Sequence, residues 1–338
     1  MIIQIKPHCN SEKLKKIKDF LNEQKLEIKD LSTTEVLMFL VTGAIESIDL
    51  ASLYAFEEIE QITPINKPYK LAAKINNEQT KIKLKNGVTI GGNEFVVMAG
   101  PCSIESEEQV QTILSNMARQ GVKIVRGGVF KPRTSPYAFQ GLGLEGLKLF
   151  RKIADQYDLA IVSELTSSSY LSEFVELADI IQIGARNMQN FELLKAVGKT
   201  KKPILLKRGM SATIEEWLMS AEYILAEGNP NVILCERGIR TFETYTRNTL
   251  DISSVLAIHN LSHLPVIVDP SHASGRYEMI EKLSLASLAV GANGIMVEVH
   301  QQPEKALSDG AQSLKLETFN QVLTKLNQVA TALDRKIT

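Results

Sequence analysis

Cysteine is scarce in this chain. Cys9, Cys102 and Cys235 are odd in number and far apart, which excludes a disulfide framework and leaves reduced thiols as the expectation. Long apolar runs are missing as well: no stretch approaches the ~20 residues of a membrane span, and the opening Met-Ile-Ile-Gln-Ile-Lys has no signal-peptide pattern. A cytoplasmic protein without a membrane partner is expected. Neither sign of charge is in excess. The net charge of −1 provides no basic surface for nucleic acid, so any cationic chemistry must be local.

What is present is the composition of a globular protein, 44% apolar and 23% charged, and 338 residues are too many for one small core. A large domain and a smaller one are expected. Residues 1–65 divide into two strand-helix-strand halves. Residues 1–6 alternate like a strand, Ser11 is positioned to cap a helix, and Leu14, Ile17 and Leu21 share one helical face. A strand pair at 26–31 and 36–41, a helix carrying Leu50, Leu53 and Tyr54, and a strand at 59–65 complete a βαββαβ, ferredoxin-like order. No cluster of catalytic residue types falls here, and His8 beside Cys9 is too little for a metal site, so a regulatory or assembly module is expected. Residues 66–94 read as a linker, containing Pro68, followed by a hairpin at Asn86-Gly87.

From residue 95 to 338, strand-like runs alternate with helical stretches. The strands fall at 95–99, 122–126, 160–165, 180–183, 203–207, 232–236, 265–269 and 294–299. Eight βα units over about 240 residues predict a (β/α)₈ TIM barrel, with its active site at the C-terminal ends of the strands. A doubly wound open sheet is the alternative, but its Gly-x-Gly-x-x-Gly fingerprint does not follow the first strand.

Polar residues gather at those strand ends. The stretch 126–136, Arg-Gly-Gly-Val-Phe-Lys-Pro-Arg-Thr-Ser-Pro, has the outline of a phosphate cradle, with glycines for close approach and guanidinium groups that grip oxygens in pairs. On charge alone it would better suit a solvated basic loop. Arg126, Lys131, Arg133, Arg186, Lys207 and Arg237 together are too many cations for one monoanion, which points to one or two phosphorylated substrates. Cys102, His272 and Glu298, on the first, seventh and eighth strand ends, are soft, borderline and hard donors. With one more carboxylate they would hold a divalent transition metal and leave a position free. Cys235 lies two residues before Arg237 on the same strand face and reads as packing.

The series Gly-Pro-Cys-Ser-Ile-Glu-Ser (100–106), Lys-Pro-Arg-Thr-Ser (131–135), Gly-Ala-Arg-Asn (184–187), Leu-Lys-Arg-Gly (206–209), Cys-Glu-Arg-Gly (235–238), Asp-Pro-Ser-His (269–272) and Val-Glu-Val-His (297–300) resembles one family over the whole chain. That family is 3-deoxy-D-arabino-heptulosonate 7-phosphate (DAHP) synthase, first enzyme of the shikimate pathway, in the form with an N-terminal ferredoxin-like domain. The resemblance implies condensation of phosphoenolpyruvate with erythrose 4-phosphate and water. Arg186 and Arg237 would hold the phosphate of phosphoenolpyruvate, Arg126 and Lys207 its carboxylate, and Lys131 would lie beside the reacting carbons. Arg133, Thr134 and Ser135 would seat the phosphate of erythrose 4-phosphate. The family pattern makes Asp309 the fourth ligand, beside Cys102, His272 and Glu298, of one Mn, Fe, Co or Zn ion per subunit, acting as a Lewis acid. Glu164 is the candidate to orient water and Lys131 the candidate proton donor. The same resemblance implies feedback by Phe or Tyr at the N-terminal domain and a homotetramer. The rivals are 3-deoxy-D-manno-octulosonate 8-phosphate synthase, with arabinose 5-phosphate as the aldehyde, and a non-catalytic phosphosugar-binding regulator.

Overall fold

Every residue of the computed structural model is described except 8, 34–35, 46–47, 64–67, 76–77, 132–134 and 136. The chain divides into two compact units, Met1–Lys70 and Leu71–Thr338.

In the first unit, β1 (Ile2–Ile5) is followed by α1 (Ser11–Glu23), β2 (Glu27–Asp30), β3 (Leu37–Thr42), α2 (Leu50–Tyr54) and β4 (Ile59–Thr63). The antiparallel sheet runs in the order β2-β3-β1-β4. Alternation places Ile3, Ile5, Phe39 and Val41 on its covered face, where Ile17 and Leu21 of α1 and Leu53 of α2 close the core. The cap of α1 is Asn10 rather than Ser11: its side chain accepts the Lys13 N–H at 2.9 Å, and Ser11 is the first helical residue. His8 lies outside the described residues.

The second unit opens with a hairpin, β5 (Ile82–Lys83) and β6 (Thr89–Ile90). Then come β7 (Glu94–Gly100), α3 (Glu107–Arg119), β8 (Ile124–Arg126), α4 (Gly143–Asp155), β9 (Ala160–Glu164), α5 (Leu171–Leu177), β10 (Ile180–Ile183), α6 (Phe191–Gly198), β11 (Ile204–Lys207), α7 (Ile214–Ala226), β12 (Val232–Glu236), α8 (Ser253–Leu261), β13 (Val266–Val268), α9 (Pro270–Ser274), α10 (Tyr277–Ala289), β14 (Gly294–Glu298), α11 (Leu316–Ala332) and β15 (Lys336–Ile337). Strands β7 to β14 pair in parallel in sequence order, and β14 returns to β7, with Met296 opposite Met98, to close the barrel. β15 adds to the outside of β7. These strands are short, continuously buried runs such as Val-Ile-Val in β13, as expected of strands covered on both sides. The helices between them are set by local signals. Ser106 caps α3 through the Gln109 N–H, and Thr213 with Glu216 forms a capping box on α7.

The hairpin closes the N-terminal floor of the barrel. Ile82, Leu84, Val88 and Ile90 share one core with Val96, Ile124, Ile180 and Cys235 of the barrel interior. Residues expected to be linker are fastened to that floor. The Leu71 and Ala72 N–H groups donate to the Glu222 carboxylate at 2.7 and 2.8 Å, and Thr80 and the Leu71 carbonyl engage the His263 ring at 2.6 and 2.7 Å. No helix among the described residues is long and apolar enough to cross a membrane.

Candidate active site

The strands deliver their last inward-facing side chains to a single cleft. Arg126 ends β8, Glu164 ends β9, Lys207 ends β11 and Glu298 ends β14, while Arg186 and Arg237 stand one to three residues past β10 and β12. Arg126, Lys131, Glu164, Arg186, Lys207, Arg237, His272 and Asp309 line that cleft, joined by Gln182, Met210 and Arg247. Gly184 is there because nothing larger fits: a Cβ would stand 2.0 Å from Glu164 Oε1.

On one side of the cleft, Cys102, Glu298 and Asp309 offer donor atoms all within 4.8 Å of one another. Cys102 Sγ is 3.3 Å from Asp309 Oδ2 and 3.1 Å from Ser308 Oγ. Asp309 has a left-handed backbone (φ 53°), which aspartate tolerates better than most residues. His272 is brought in by Asp269, which caps α9 by accepting the His272 N–H at 2.9 Å and faces Nδ1 at 2.7 Å. That contact puts the proton on Nδ1, and the Nε2 lone pair faces Glu298 Oε1 at 3.4 Å. Burial keeps the imidazole pKa below its ordinary value although Asp269 pulls the other way. Burial and then the Glu298 carboxylate push the Cys102 thiol up to about 12. Burial would raise the pKa of Glu298, but the positive charge around it, that of the paired Arg126 included, outweighs burial and holds it low. A thiol, a neutral imidazole and two ionised carboxylates form a donor set suited to a divalent transition metal.

Cations line the other side, and they differ in how they are neutralised. Arg126 is paired with Glu298 at 2.9 Å and also donates to the Pro101 carbonyl. Lys207 is paired with Asp269 at 2.5 Å. Among the described residues, neither Arg186 nor Arg237 has an ion pair. Arg237 is 6% exposed, its Nη1 is buried without a hydrogen-bond partner, and burial lowers its pKa. A buried guanidinium in that state calls for an anionic partner. Lys131 joins the two sides, its Nζ 3.0 Å from both the sulfur and the carbonyl oxygen of Cys102.

Not every predicted residue arrives. Ser135 is exposed, its hydroxyl accepts the Tyr137 N–H at 3.3 Å, and it does not line the cleft. Arg133 and Thr134 lie outside the described residues. Arg208 and Glu236, also at strand ends, turn outward and pair with each other at 3.0 Å, with Asp251 as a second partner of Arg208 at 2.7 Å. Arg247 and Gln312, like Gln182 and Met210 of the cleft lining, escaped the sequence reading, and Asp269 entered it only as part of a strand-end motif with no role. Arg247 lies 3.5 Å from Asp309 Oδ1 and 3.0 Å from Gln312 Oε1, and Gln312 in turn donates to Glu298 Oε2 at 2.8 Å. Asp269 had a usable signal, an Asp-Pro start three residues before a histidine; the loop residues Arg247 and Gln312 had none.

Fold and cleft together define a (β/α)₈-barrel enzyme with a mixed donor cluster beside an anion site. The sequence profile of the DAHP synthetase I family matches residues 78–335, and the chain belongs to that family. A Thermotoga maritima protein named phospho-2-dehydro-3-deoxyheptonate aldolase is 46% identical over 338 residues, covering 100% of both chains. A Geobacter sulfurreducens protein named 2-dehydro-3-deoxyphosphooctonate aldolase is 33% identical over 264 residues, 72% of this chain and 95% of its own. The crystal structure of the Thermotoga maritima aldolase, also called DAHP synthase, superposes with a TM-score of 0.80 at 45% identity, covering 100% of this chain and 99% of that one. A truncated form of 3-deoxy-D-arabino-heptulosonate 7-phosphate synthase from the same organism gives 0.75 at 48% identity, over 80% of this chain and 99% of its own.

Proposed function

We infer that this chain is a 3-deoxy-7-phosphoheptulonate synthase, joining phosphoenolpyruvate to erythrose 4-phosphate with uptake of water and release of inorganic phosphate. The observation that carries this reading is the position of Lys131, whose ammonium group lines the cationic cleft and lies 3.0 Å from Cys102 Sγ. Phosphate-binding and metal-binding chemistry therefore share one chamber. Arg186 and the unpartnered Arg237 take the phosphate of phosphoenolpyruvate, and Arg126 and Lys207 orient its carboxylate. The terminal alkene carbon bonds to the aldehyde carbon, Lys131 gives a proton to the new alkoxide, and water oriented by Glu164 adds to the second carbon, losing a proton that restores the Lys131 ammonium. Phosphate then leaves with the original C–O oxygen, taking up the hemiketal hydroxyl proton as the ketone forms. A divalent Mn, Fe, Co or Zn ion held by Cys102, His272, Glu298 and Asp309 would supply Lewis-acid polarisation. Arg133 and Thr134 are assigned to the phosphate of erythrose 4-phosphate, and Ser135 would have to turn in from its exposed position to join them.

Phosphate release measured with erythrose 4-phosphate and with arabinose 5-phosphate tests the reading. Faster turnover of the pentose would make this an octulosonate synthase, and no turnover of either would leave a binding protein.

The order β2-β3-β1-β4 with two connecting helices supports a ferredoxin-like module at the N-terminus, and we assign it an aromatic amino acid, Phe or Tyr, as inhibitor of a cytoplasmic homotetramer. Equal inhibition of the full chain and of residues 66–338 would remove that module from regulation.

A further inference from the structure

Half of the ligand set arrives on chain outside the barrel strands and the long helices, with only short local structure beside it: an isolated bridge, Ser103–Gly128, next to Cys102 and a single 3-10 turn, Gly310–Gln312, after Asp309. Cys102 follows β7, and Asp309 lies in the long stretch between β14 and α11. Glu105, three residues after Cys102, spans both. Its Oε1 accepts the Leu307 N–H at 3.0 Å and the Ser103 hydroxyl at 3.0 Å, and its Oε2 faces His300 Nε2 at 3.4 Å. His300 Nδ1 accepts the Gln302 N–H at 3.0 Å, which leaves the ring proton on Nε2, aimed at Glu105. The backbone that carries this carboxylate is anchored as well. The Glu105 N–H donates to Gln109 Oε1 at 3.0 Å, and Gln109 Nε2 donates to the Ser103 carbonyl at 3.1 Å. The side chains of His300 and Glu105 are only 5% and 10% exposed, so this is a built contact and not a surface ion pair.

We propose that Glu105 is a positioning residue for the metal: a strap that holds the Cys102 segment and the Asp309 segment at ligand distance without itself touching the ion. This rests on the reading of Cys102, His272, Glu298 and Asp309 as ligands. The strap grips the chain two residues before Asp309, and across it Cys102 Sγ sits 3.3 Å from Asp309 Oδ2.

Cobalt(II) binding to the full chain, wild type and Glu105→Ala, is the test. The affinity is read by competition with a chelator, and the sulfur-to-cobalt absorption band reports whether Cys102 is bound. Glu105→Ala is expected to weaken cobalt binding about 10–100-fold and to diminish the band. Glu105→Gln keeps an acceptor for the Leu307 N–H and is expected to lose less than about tenfold, a rescue that also serves if the alanine variant does not fold. Phosphoenolpyruvate affinity of the metal-free protein is expected to stay at the wild-type value in both variants, while the melting midpoint falls in Glu105→Ala, which strands the Leu307 N–H, and less in Glu105→Gln. Cobalt affinity and band unchanged in both variants would overturn the strap. So would a parallel loss of phosphoenolpyruvate affinity, because that would mean general loosening. A wild-type protein whose cobalt band survives Cys102→Ala would instead overturn the ligand assignment, and the strap with it.

Discussion

The two ends of the barrel solve opposite problems with similar residues. At the floor, polar groups are closed onto one another: Glu222 takes two backbone N–H groups, His263 uses both ring nitrogens, and Asn293 accepts the Val266 N–H at 2.9 Å. At the rim, Arg237 is buried with an open N–H, and Arg186 has no ion pair among the described residues. The floor keeps the fold together, and the rim forgoes stability so that an anion can complete it. Conservative changes at the two ends should therefore have opposite signatures.

The largest effect is expected where the rim is most specialised. Cys102→Ala should lower kcat by about 100-fold or more at saturating substrate, measured with metal added back. Next is Arg237→Met, which should raise the KM for phosphoenolpyruvate by about 100-fold, the value of one or two charged hydrogen bonds. The same variant should melt about 2–4 °C higher, because an uncompensated buried cation is gone. A fall in its melting midpoint would break the comparison.

A proton count sharpens the contrast further. Since burial and the Glu298 carboxylate push the Cys102 thiol up to about 12, it stays protonated across the neutral range without metal, and metal binding through sulfur must displace that proton. Apparent metal affinity should rise about tenfold per pH unit between pH 7 and 9, read from titrations in buffers of different ionisation enthalpy. Affinity flat with pH would mean that the sulfur is not bound. At the floor, Glu222→Ala strands two backbone donors and should cost about 2–4 kcal/mol by denaturant unfolding, with KM unchanged. Smallest is Gly87→Ala in the hairpin turn, where φ is 88° and the space is open, for about 1 kcal/mol.

Much of this was legible in the sequence, for reasons that can be named. Parallel strands covered on both faces are short apolar runs, so β7 and β12 stand out, and the residue that ends each run is necessarily at the rim. Period two should also have separated Lys207 from Arg208 and Arg237 from Glu236, since Cys235 faces the interior core. Arg208 and Glu236 look like site residues only while that alternation is ignored. Arg247 could not be read. Its place depends on the loop between β12 and α8 and on Gly275, where a Cβ would stand 2.7 Å from the Arg247 Cβ. Gln312 depends in the same way on the fold of a segment without period. At α1, Asn10 and Ser11 are both good caps by residue type, and only the backbone decides between them.

The β5–β6 hairpin has a last consequence. With Ile82, Leu84, Val88 and Ile90 filling the lower mouth, the chamber is closed at that end. If Arg186 and Arg237 hold phosphoenolpyruvate as proposed, inorganic phosphate would leave past the same two arginines, so product and substrate would compete for a common threshold.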